Sequence, residues 1–300
     1  MSWGPAVAFA VVALAVTAAA TATTTAPNLP PALLTLQGSD LPGAQLTSQG
    51  PVHEKNYVAA YQRTFTFKTP SGASGLRYIQ SEALVSATVA RAATALSQVR
   101  TGFASPTGRA AFVAAVAKSL QVKKGAVKLA ALRSPRVGDH AAELPLSVQM
   151  AKGRVYESVL YVQLERVVGA FVLAGTRPVA AADSRRLAAA SILHIDAALT
   201  PQPYRVPDVT GNPQQGETLT ATTGVWNTIS SFSYQWQRCD DAAANCTDIA
   251  GATSRTYVVD PADVNFPLRV EVSAANRFGT ATADSAPTAK ITPPPDLGVQ

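Results

Sequence analysis

Along the first two thirds of the chain, some segments have apolar residues at every second position, as in strands. Others have them three and four residues apart, as in helices. Aromatic and apolar side chains occupy alternate positions over Tyr57–Phe67, which predicts a strand, and a second strand is predicted at 75–86 after a glycine-rich turn. From Val89 to Phe103 the apolar residues are spaced four and three apart, which predicts one face of a helix. Gly102 and Pro106 end that helix.

The pattern then predicts a second helix, a meander of strands and a closing helix. The second helix is predicted to begin at Thr107, a capping residue, and to end at Leu120. The strands are expected at 126–133, 140–150, 154–165 and 167–175. The closing helix is predicted over 181–199, with Leu187, Ala190, Ile192, Leu193 and Ala197 on its inner face.

Two strands, two helices, four strands and a helix predict an α+β fold, because an antiparallel sheet buries its faces most simply against packed helices. This order, with Gly138–Glu143 leading into the meander, resembles the PsbP-type α/β/α sandwich of exported actinobacterial proteins over residues 35–199. The resemblance implies a non-enzymatic exported domain. It carries no functional residue to this chain.

A proline-rich stretch at 200–206 separates this region from a different pattern. Proline disfavours continuation of the preceding helix, so we expect an extended linker. Residues 207–291 contain about seven short strand-like segments separated by turns, which predicts an all-β sandwich. The alternation of Tyr234 and Trp236 places both aromatic side chains on one face of a strand. A second proline-rich stretch, 292–300, is expected to be a disordered tail.

Residues 207–291 resemble the bacterial immunoglobulin-like domains of exported proteins. The resemblance rests on Gly216–Thr220, Gly224–Trp226, Tyr234–Cys239, Cys246–Ser254, Tyr257, Asp263–Val264, Leu268–Val270 and Ala275–Asn276. It implies an immunoglobulin-like sandwich with Trp236 in its core, serving as a spacer or adhesion module. Where such domains commonly have Gly-x-Thr-Leu, this chain has Asn265 at the glycine position, so the geometry of that turn is open.

The chain has two cysteines, Cys239 and Cys246, close together in the predicted hairpin. A cysteine pair in an exported chain is by default a disulfide, and no further Cys or His lies nearby to complete a metal site. We expect them to be bonded to each other. No metal and no cofactor is predicted.

The N-terminus has the pattern of a secretory signal. An apolar run, Ala6–Ala20, ends in small residues, so residues 1–26 are predicted to be a cleaved signal peptide, and the protein to be extracellular or in the cell envelope. Met1–Pro5 contains no Lys or Arg, which departs from the usual signal. The alternative is an uncleaved anchor, although the run is shorter than the roughly 20 residues of a membrane span.

The two parts of the chain have net charges of opposite sign. Residues 1–202 carry 19 Lys and Arg against 9 Asp and Glu, a net charge of +10, whereas residues 203–300 carry 6 against 10, a net charge of −4. The stretch between Glu82 and Asp139 contains no acidic residue. It is predicted to supply a surface for an anionic partner, made of Arg91, Arg100, Arg109, Lys118, Lys123, Lys124, Lys128, Arg133 and Arg136.

This basic stretch has two interpretations. Its Lys and Arg side chains solvate exposed helix faces, or they contact an anionic cell-wall polymer, polysaccharide or membrane surface. Arg91, Arg100, Arg109 and Lys118 recur every nine residues, which alternates helix faces and argues against a single stripe on one helix. Nucleic acid is disfavoured because Phe103 and Phe112 lie on apolar faces and offer no stacking platform.

No catalytic residue is predicted. His53, His140 and His194 are interpreted as surface or structural residues, and His194 cannot face Asp196 across two helical positions. Alanines interrupt the acidic loop at 240–248 that would otherwise resemble a calcium loop. The sequence therefore predicts a non-enzymatic exported binding protein. The alternatives are a structural or adhesion protein that binds another protein, and a secreted hydrolase, which a cleft converging on His140 with Glu143 or Glu165 would favour.

Overall fold

The chain builds a mixed α and β unit followed by a β-rich one. A computed structural model describes residues 29–54, 56–227, 229–240, 242 and 245–295. Contacts within the chain divide it into two compact units that meet between Ala198 and Leu199. The predicted signal peptide, residues 1–26, lies outside the described residues. Within the described part of the chain, no helix has both the length and the apolar character needed to cross a membrane.

Seven antiparallel strands form the sheet of the first unit. In chain order they are β1 (Ala44–Pro51), β2 (Ala59–Ser71), β3 (Leu76–Val85), β4 (Val127–Leu129), β5 (His140–Met150), β6 (Gly153–Leu164) and β7 (Val167–Gly175). Their spatial order is β1-β2-β3-β7-β6-β5-β4. The two halves of the predicted strand pattern therefore meet at the sheet centre, where β3 pairs with β7.

Helices cover both faces of this sheet. The four helices are α1 (Pro31–Leu34), α2 (Val89–Ala104), α3 (Pro106–Ser119) and α4 (Ala181–Leu199). Side chains of α2 and α3, such as Leu96 and Phe112, share one core with Leu144 and Val172 of the sheet. On the opposite face, Leu187 of α4 shares a second core with sheet residues. The predicted antiparallel α+β architecture is confirmed at this level.

Two details of the helices differ from the sequence prediction. The second helix begins at Pro106 and is capped by Ser105, whose hydroxyl accepts from the Gly108 N–H, so Thr107 is not the cap. Leu193, predicted on the inner face of α4, is 69% exposed, and Ala197, predicted on the same face, is also exposed. The buried stripe of α4 instead includes Ser184 and Ser191, whose hydroxyls donate hydrogen bonds inside the protein, so the apolar period alone misplaced it.

The sheet has an edge strand that the sequence analysis missed. β1 is polar along most of its length and mostly exposed, so it lacks the alternating pattern of a half-buried strand. It pairs with β2 through a register shift between Leu46 and Ser48. The opposite edge, β4, is only three residues long and presents the exposed Lys128. The strand predicted at 126–133 is therefore much shorter, although Arg133 makes an isolated bridge to Glu143.

The second unit consists of short antiparallel strands. They are β8 (Pro203–Arg205), β9 (Val209–Thr210), β10 (Thr218–Ala221), β11 (Val225–Trp226), β12 (Ser231–Cys239), β13 (Cys246–Asp248), β14 (Thr256–Val258), β15 (Leu268–Asn276) and β16 (Gly279–Asp284). They form a four-stranded sheet in the order β13-β12-β15-β16, a three-stranded sheet in the order β14-β10-β9, and the pair β11-β8.

Trp236 lies at the centre of the second unit, as predicted. It is fully buried, stacks on Tyr257 with ring centroids 5.6 Å apart, and donates its indole N–H to the Ser254 carbonyl. Buried Leu219 from one sheet and Val270 from the other belong to the same cluster. The two sheets therefore share a core built around this tryptophan.

The second unit contains a disulfide bond, and it has ordered backbone at both of its proline-rich ends. Cys239 and Cys246 pair across β12 and β13 and form a disulfide, which confirms the predicted bond. Part of the stretch predicted as a linker is strand β8. The tail predicted to be disordered from residue 292 begins with an ordered residue, because Thr292 exchanges backbone hydrogen bonds with Pro213 and Gln215.

The turn at Asn265, where related domains commonly have glycine, has a left-handed backbone conformation. Asn265 has φ 75°, and its N–H donates to the Ile291 carbonyl. Asparagine is among the few non-glycine residues that enter the left-handed region readily. The turn therefore keeps the backbone conformation that a glycine would favour.

Candidate functional site

The nine basic residues predicted as one surface do not share one role. Arg109 donates hydrogen bonds to the carbonyls of Phe103 and Ala130, and Arg133 donates to the Val179 carbonyl and the Glu143 carboxylate. These two side chains tie segments of the fold together. The nine predicted residues therefore fall into groups with different surroundings.

The remaining basic residues fall into separate regions. Arg91 and Arg100 lie nine residues apart on α2, about half a turn out of phase, so they flank its buried face on opposite sides. Four exposed lysines follow one another around the end of α3 and the edge strand β4. We call this group the lysine edge: Lys118, Lys123, Lys124 and Lys128.

Arg136 joins Arg133 and Arg185 around a cavity. The cavity has a volume of about 440 Å³ and lies on the α4 side of the sheet. We call it the arginine cavity; its lining is Arg133, Ser134, Pro135, Arg136, Glu143, Ala181 and Arg185. This volume is within the range of about 300–1,000 Å³ that is usual for small-molecule sites. Three guanidinium groups make it suited to an anion.

Local sequence positions the two walls of this cavity. One wall is the loop before β5, which is held to β5 by backbone hydrogen bonds in both directions between Arg133 and Glu143. The loop reverses at Gly138, which has φ 65° and whose Cβ, if present, would clash with the Gln163 carbonyl oxygen. Glycine is the residue that fits this conformation and this close approach, and it allows the loop to turn into β5.

The other wall is the beginning of α4. Ala181 is the first residue of this 19-residue helix, and Arg185 follows one turn later. Asp183 fixes this end, because its carboxylate accepts hydrogen bonds from the backbone N–H and hydroxyl of Ser74 in the β2–β3 turn. The first turn of α4 is therefore held in place beside the cavity, and Arg185 lies at its end.

Two of the three arginines are not committed elsewhere. Among the described residues, Arg136 and Arg185 form neither a hydrogen bond nor an ion pair with a protein group, and both side chains are exposed. Arg133 is half-buried and lies 3.5 Å from Glu143 Oε1. Arg136 and Arg185 can therefore turn toward a bound anion without breaking protein contacts.

Glu143 is the acidic group of the cavity. Its side chain is almost wholly buried, and Oε1 accepts from the hydroxyls of Ser158 at 2.7 Å and Ser184 at 2.6 Å. Its other oxygen, Oε2, is buried and has no hydrogen-bond partner. Sequence analysis named Glu143 as a candidate, but the contact with Ser184, 41 residues away, follows only from the docking of α4.

The histidines do not converge on Glu143. His140 is exposed at the start of β5, and His53 is exposed in the segment before β2. His194 contacts Asp40 at 2.8 Å, which joins α4 to the segment after α1. His140 and Glu165 are not among the lining residues of the arginine cavity.

Two buried carboxyls on the opposite face of the sheet were missed. Burial raises the pKa of Glu157 on β6 to about 8. Burial, with a smaller contribution from Glu54, raises the pKa of Glu82 on β3 to about 7. Glu157 interrupts the mostly apolar strand β6, which is a sequence signal that could have identified it. Glu82 follows Gln80 and Ser81 in β3, so no comparable signal marked it.

Small residues of β7 separate these carboxyls from tyrosines. Ala170 stands between Glu82 and Tyr161 in the strand register, and Ala174 stands between Tyr78 and Glu157. Burial and the neighbouring Glu82 raise the pKa of Tyr161, and burial raises the pKa of Tyr78. Tyr78 donates to Gln80, which in turn donates to Gln62. This face therefore holds a buried polar group rather than a uniform apolar core.

The second unit has a groove of about 600 Å³ beside its disulfide-bonded hairpin. Its lining includes Asp248 of β13 and Tyr257 of β14, so it lies between the edges of the two sheets. Tyr257 is fixed by donating to the Asp263 carboxylate, which also pairs with Arg238. In the described parts of both units, no group of three or more His, Cys, Asp or Glu side chains is arranged to hold a metal ion.

Comparison with known proteins gives little further information. No protein family matches the sequence, and no curated protein matches it. Among solved structures, the extracellular domain of PknH from Mycobacterium tuberculosis aligns with 56% of this chain and 94% of its own length, at 10% sequence identity and a TM-score of 0.35. A likeness of this strength transfers neither a fold nor a function to the chain.

Proposed function

We propose that this chain is an exported, non-catalytic binding protein whose first unit holds anionic groups of a cell-envelope partner in the arginine cavity. The observation that carries the proposal is the convergence of Arg133, Arg136 and Arg185 on one cavity at the beginning of α4. The net charge of +10 on residues 1–202 supports the same sign of partner. The second unit acts as an immunoglobulin-like spacer or adhesion module.

Export is part of the proposal. The Cys239–Cys246 disulfide is typical of proteins that fold in an oxidising compartment. The apolar run at Ala6–Ala20 supplies the expected signal. Intact-mass analysis of culture supernatant should find a chain that begins between about residues 21 and 27, as small-residue cleavage sites specify.

Labelled poly-L-glutamate provides a test of anion binding, because its pendant carboxylates can enter a cavity of this size. Binding to the full chain should weaken steeply as salt rises, since exposed charges are screened beyond about 10 Å at 0.1 M salt. Fluorescence anisotropy measures the affinity. Salt-insensitive binding would contradict an electrostatic mechanism.

A matched pair of variants then locates the site. Arg136→Glu with Arg185→Glu should abolish most of the binding. Lys123→Glu with Lys124→Glu makes the same change in net charge at the lysine edge and should reduce binding only slightly. If the lysine variant loses binding while the arginine variant retains it, the partner surface is the lysine edge and the proposed site is wrong.

The structural or adhesion role is the second candidate, and the groove of the second unit favours it. Its polar lining between two sheet edges is suited to a protein loop or strand. Under this alternative, a Tyr257→Ala variant should lose adhesion to an envelope fraction, and the arginine double variant should keep it.

A further inference from the structure

The arginine cavity has a feature that a simple anion site does not need. Glu143 contributes a carboxylate to a lining whose other charged residues are all arginines, and this carboxylate is almost wholly buried. Its Oε1 is fully used by Ser158, Ser184 and Arg133. Its Oε2 has no donor in the protein. A buried acceptor is rarely left without a donor, so this oxygen is available to a donor that the described chain does not supply.

The charges of the cavity also specify where such a partner must place its groups. Arg136 and Arg185 have exposed guanidinium groups without protein partners, while Glu143, which lines the same cavity, has a buried acceptor oxygen of opposite charge. A plain anion would satisfy the arginines but would be repelled by Glu143. A plain cation would satisfy Glu143 but would face three arginines. A ligand that carries a negative group and a positive donor satisfies both.

We propose that the arginine cavity binds a small carboxylate that also bears an ammonium group, that is, a free α-amino acid. Its carboxylate is held by Arg136 and Arg185, and its ammonium group donates to Glu143 Oε2. Charge-assisted hydrogen bonds of both kinds are the strongest that side chains make, and arginine matches a carboxylate in two-point geometry. The cavity of about 440 Å³ has room for the ligand's own side chain. This inference rests on the proposed anion-binding function and names its ligand class.

Alanine, lactate and propionate form a series that tests the proposal on the unmodified full chain. The three share a three-carbon skeleton and a carboxylate, and they differ at the α-carbon, which bears an ammonium, a hydroxyl or a hydrogen. Isothermal titration should rank them alanine, lactate, propionate. Alanine should bind about tenfold or more tightly than propionate, as expected for one hydrogen bond between charged groups.

Two variants assign the interactions. Glu143→Gln should bring alanine close to propionate in affinity, because the charged acceptor is lost while the shape is kept. Arg185→Ala should weaken all three ligands by a similar factor, and it leaves the Glu143 hydrogen bonds intact if Glu143→Gln fails to fold. Arg100→Ala, an exposed arginine on α2, is the matched control and should change none of the affinities.

The possible outcomes separate this inference from the proposed function. Equal affinity for propionate and alanine would overturn the amino-acid assignment and leave the anion site in place. Binding of poly-L-glutamate through Arg136 and Arg185, with no binding of alanine, would do the same. Absence of binding by all four probes would overturn both proposals.

Discussion

Glu157 should make the first unit lose stability as the pH rises. Its carboxyl is 2% exposed on β6, and Oε1 has no hydrogen-bond partner. Burial raises its pKa from 4.5 to about 8. The folded state therefore holds a proton that the unfolded state releases between these two values. Stability is unaffected by this group below pH 4.5 and falls as the pH rises to about 8.

The size of this effect follows from the difference in pKa. At about 1.4 kcal/mol for each pH unit, the raised pKa of Glu157 lowers the unfolding free energy by about 3 kcal/mol at pH 7 and by up to about 5 kcal/mol above pH 8. Domains of this kind are stable by only about 5–15 kcal/mol. One buried carboxyl can therefore decide whether the unit survives alkaline conditions.

Glu157→Gln removes the titration while keeping the shape of the side chain. The gain in unfolding free energy should be larger at pH 9 than at pH 5 by about 4 kcal/mol, and any pH-independent effect of the amide cancels in this difference. Urea denaturation followed by circular dichroism, with amide exchange of β6 peptides, measures it. Glu217→Gln, at an exposed position, is the charge-matched control. An equal gain at both pH values would refute the reasoning.

Further variants test the disulfide, the buried tryptophan and the helix cap. Replacing Cys239 and Cys246 together by Ala should lower the unfolding free energy of the second unit by about 2–3 kcal/mol, as a short closed loop predicts, and free-thiol labelling of the unreduced unfolded parent should detect no thiol. Trp236→Ala should cost about 3–5 kcal/mol, measured by denaturation of the full chain, and an unchanged midpoint would contradict its central position. Ser105→Ala should cost about 1 kcal/mol through loss of the α3 cap, whereas Thr107→Ala, the control, should cost little; the reverse order in thermal melts would restore Thr107 as the cap.

The sequence predicted elements where a single periodicity dominated. Strands β5, β6 and β7 and helix α4 lie almost where the pattern placed them, because their apolar spacing is long and regular. β1 was missed because an exposed edge strand needs no apolar alternation. Leu193 was misplaced because the buried stripe of α4 uses Ser184 and Ser191, which hydrogen bonds make acceptable inside the protein.

The candidate site was only partly predictable because it combines residues that are far apart in the sequence. Arg133 and Arg136 were named from the charge of their segment, and Glu143 from its place at the meander. Arg185 lies 49 residues beyond Arg136, and only the docking of α4 brings the two together. The sorting of nine basic residues into structural, solvent-facing and cavity groups likewise depends on contacts that spacing does not specify.

The two ends of the seven-stranded sheet have a consequence for how the protein behaves at high concentration. A free sheet edge offers unpaired backbone groups to any passing extended chain, which is a common route to aggregation. Here β1 carries a register shift after Leu46 and ends at Pro51, and β4 is three residues long with Lys128 outward. Neither edge gives a neighbouring molecule a flat row of partners. We therefore expect concentrated solutions of the protein to resist aggregation through edge-to-edge pairing of this sheet between molecules.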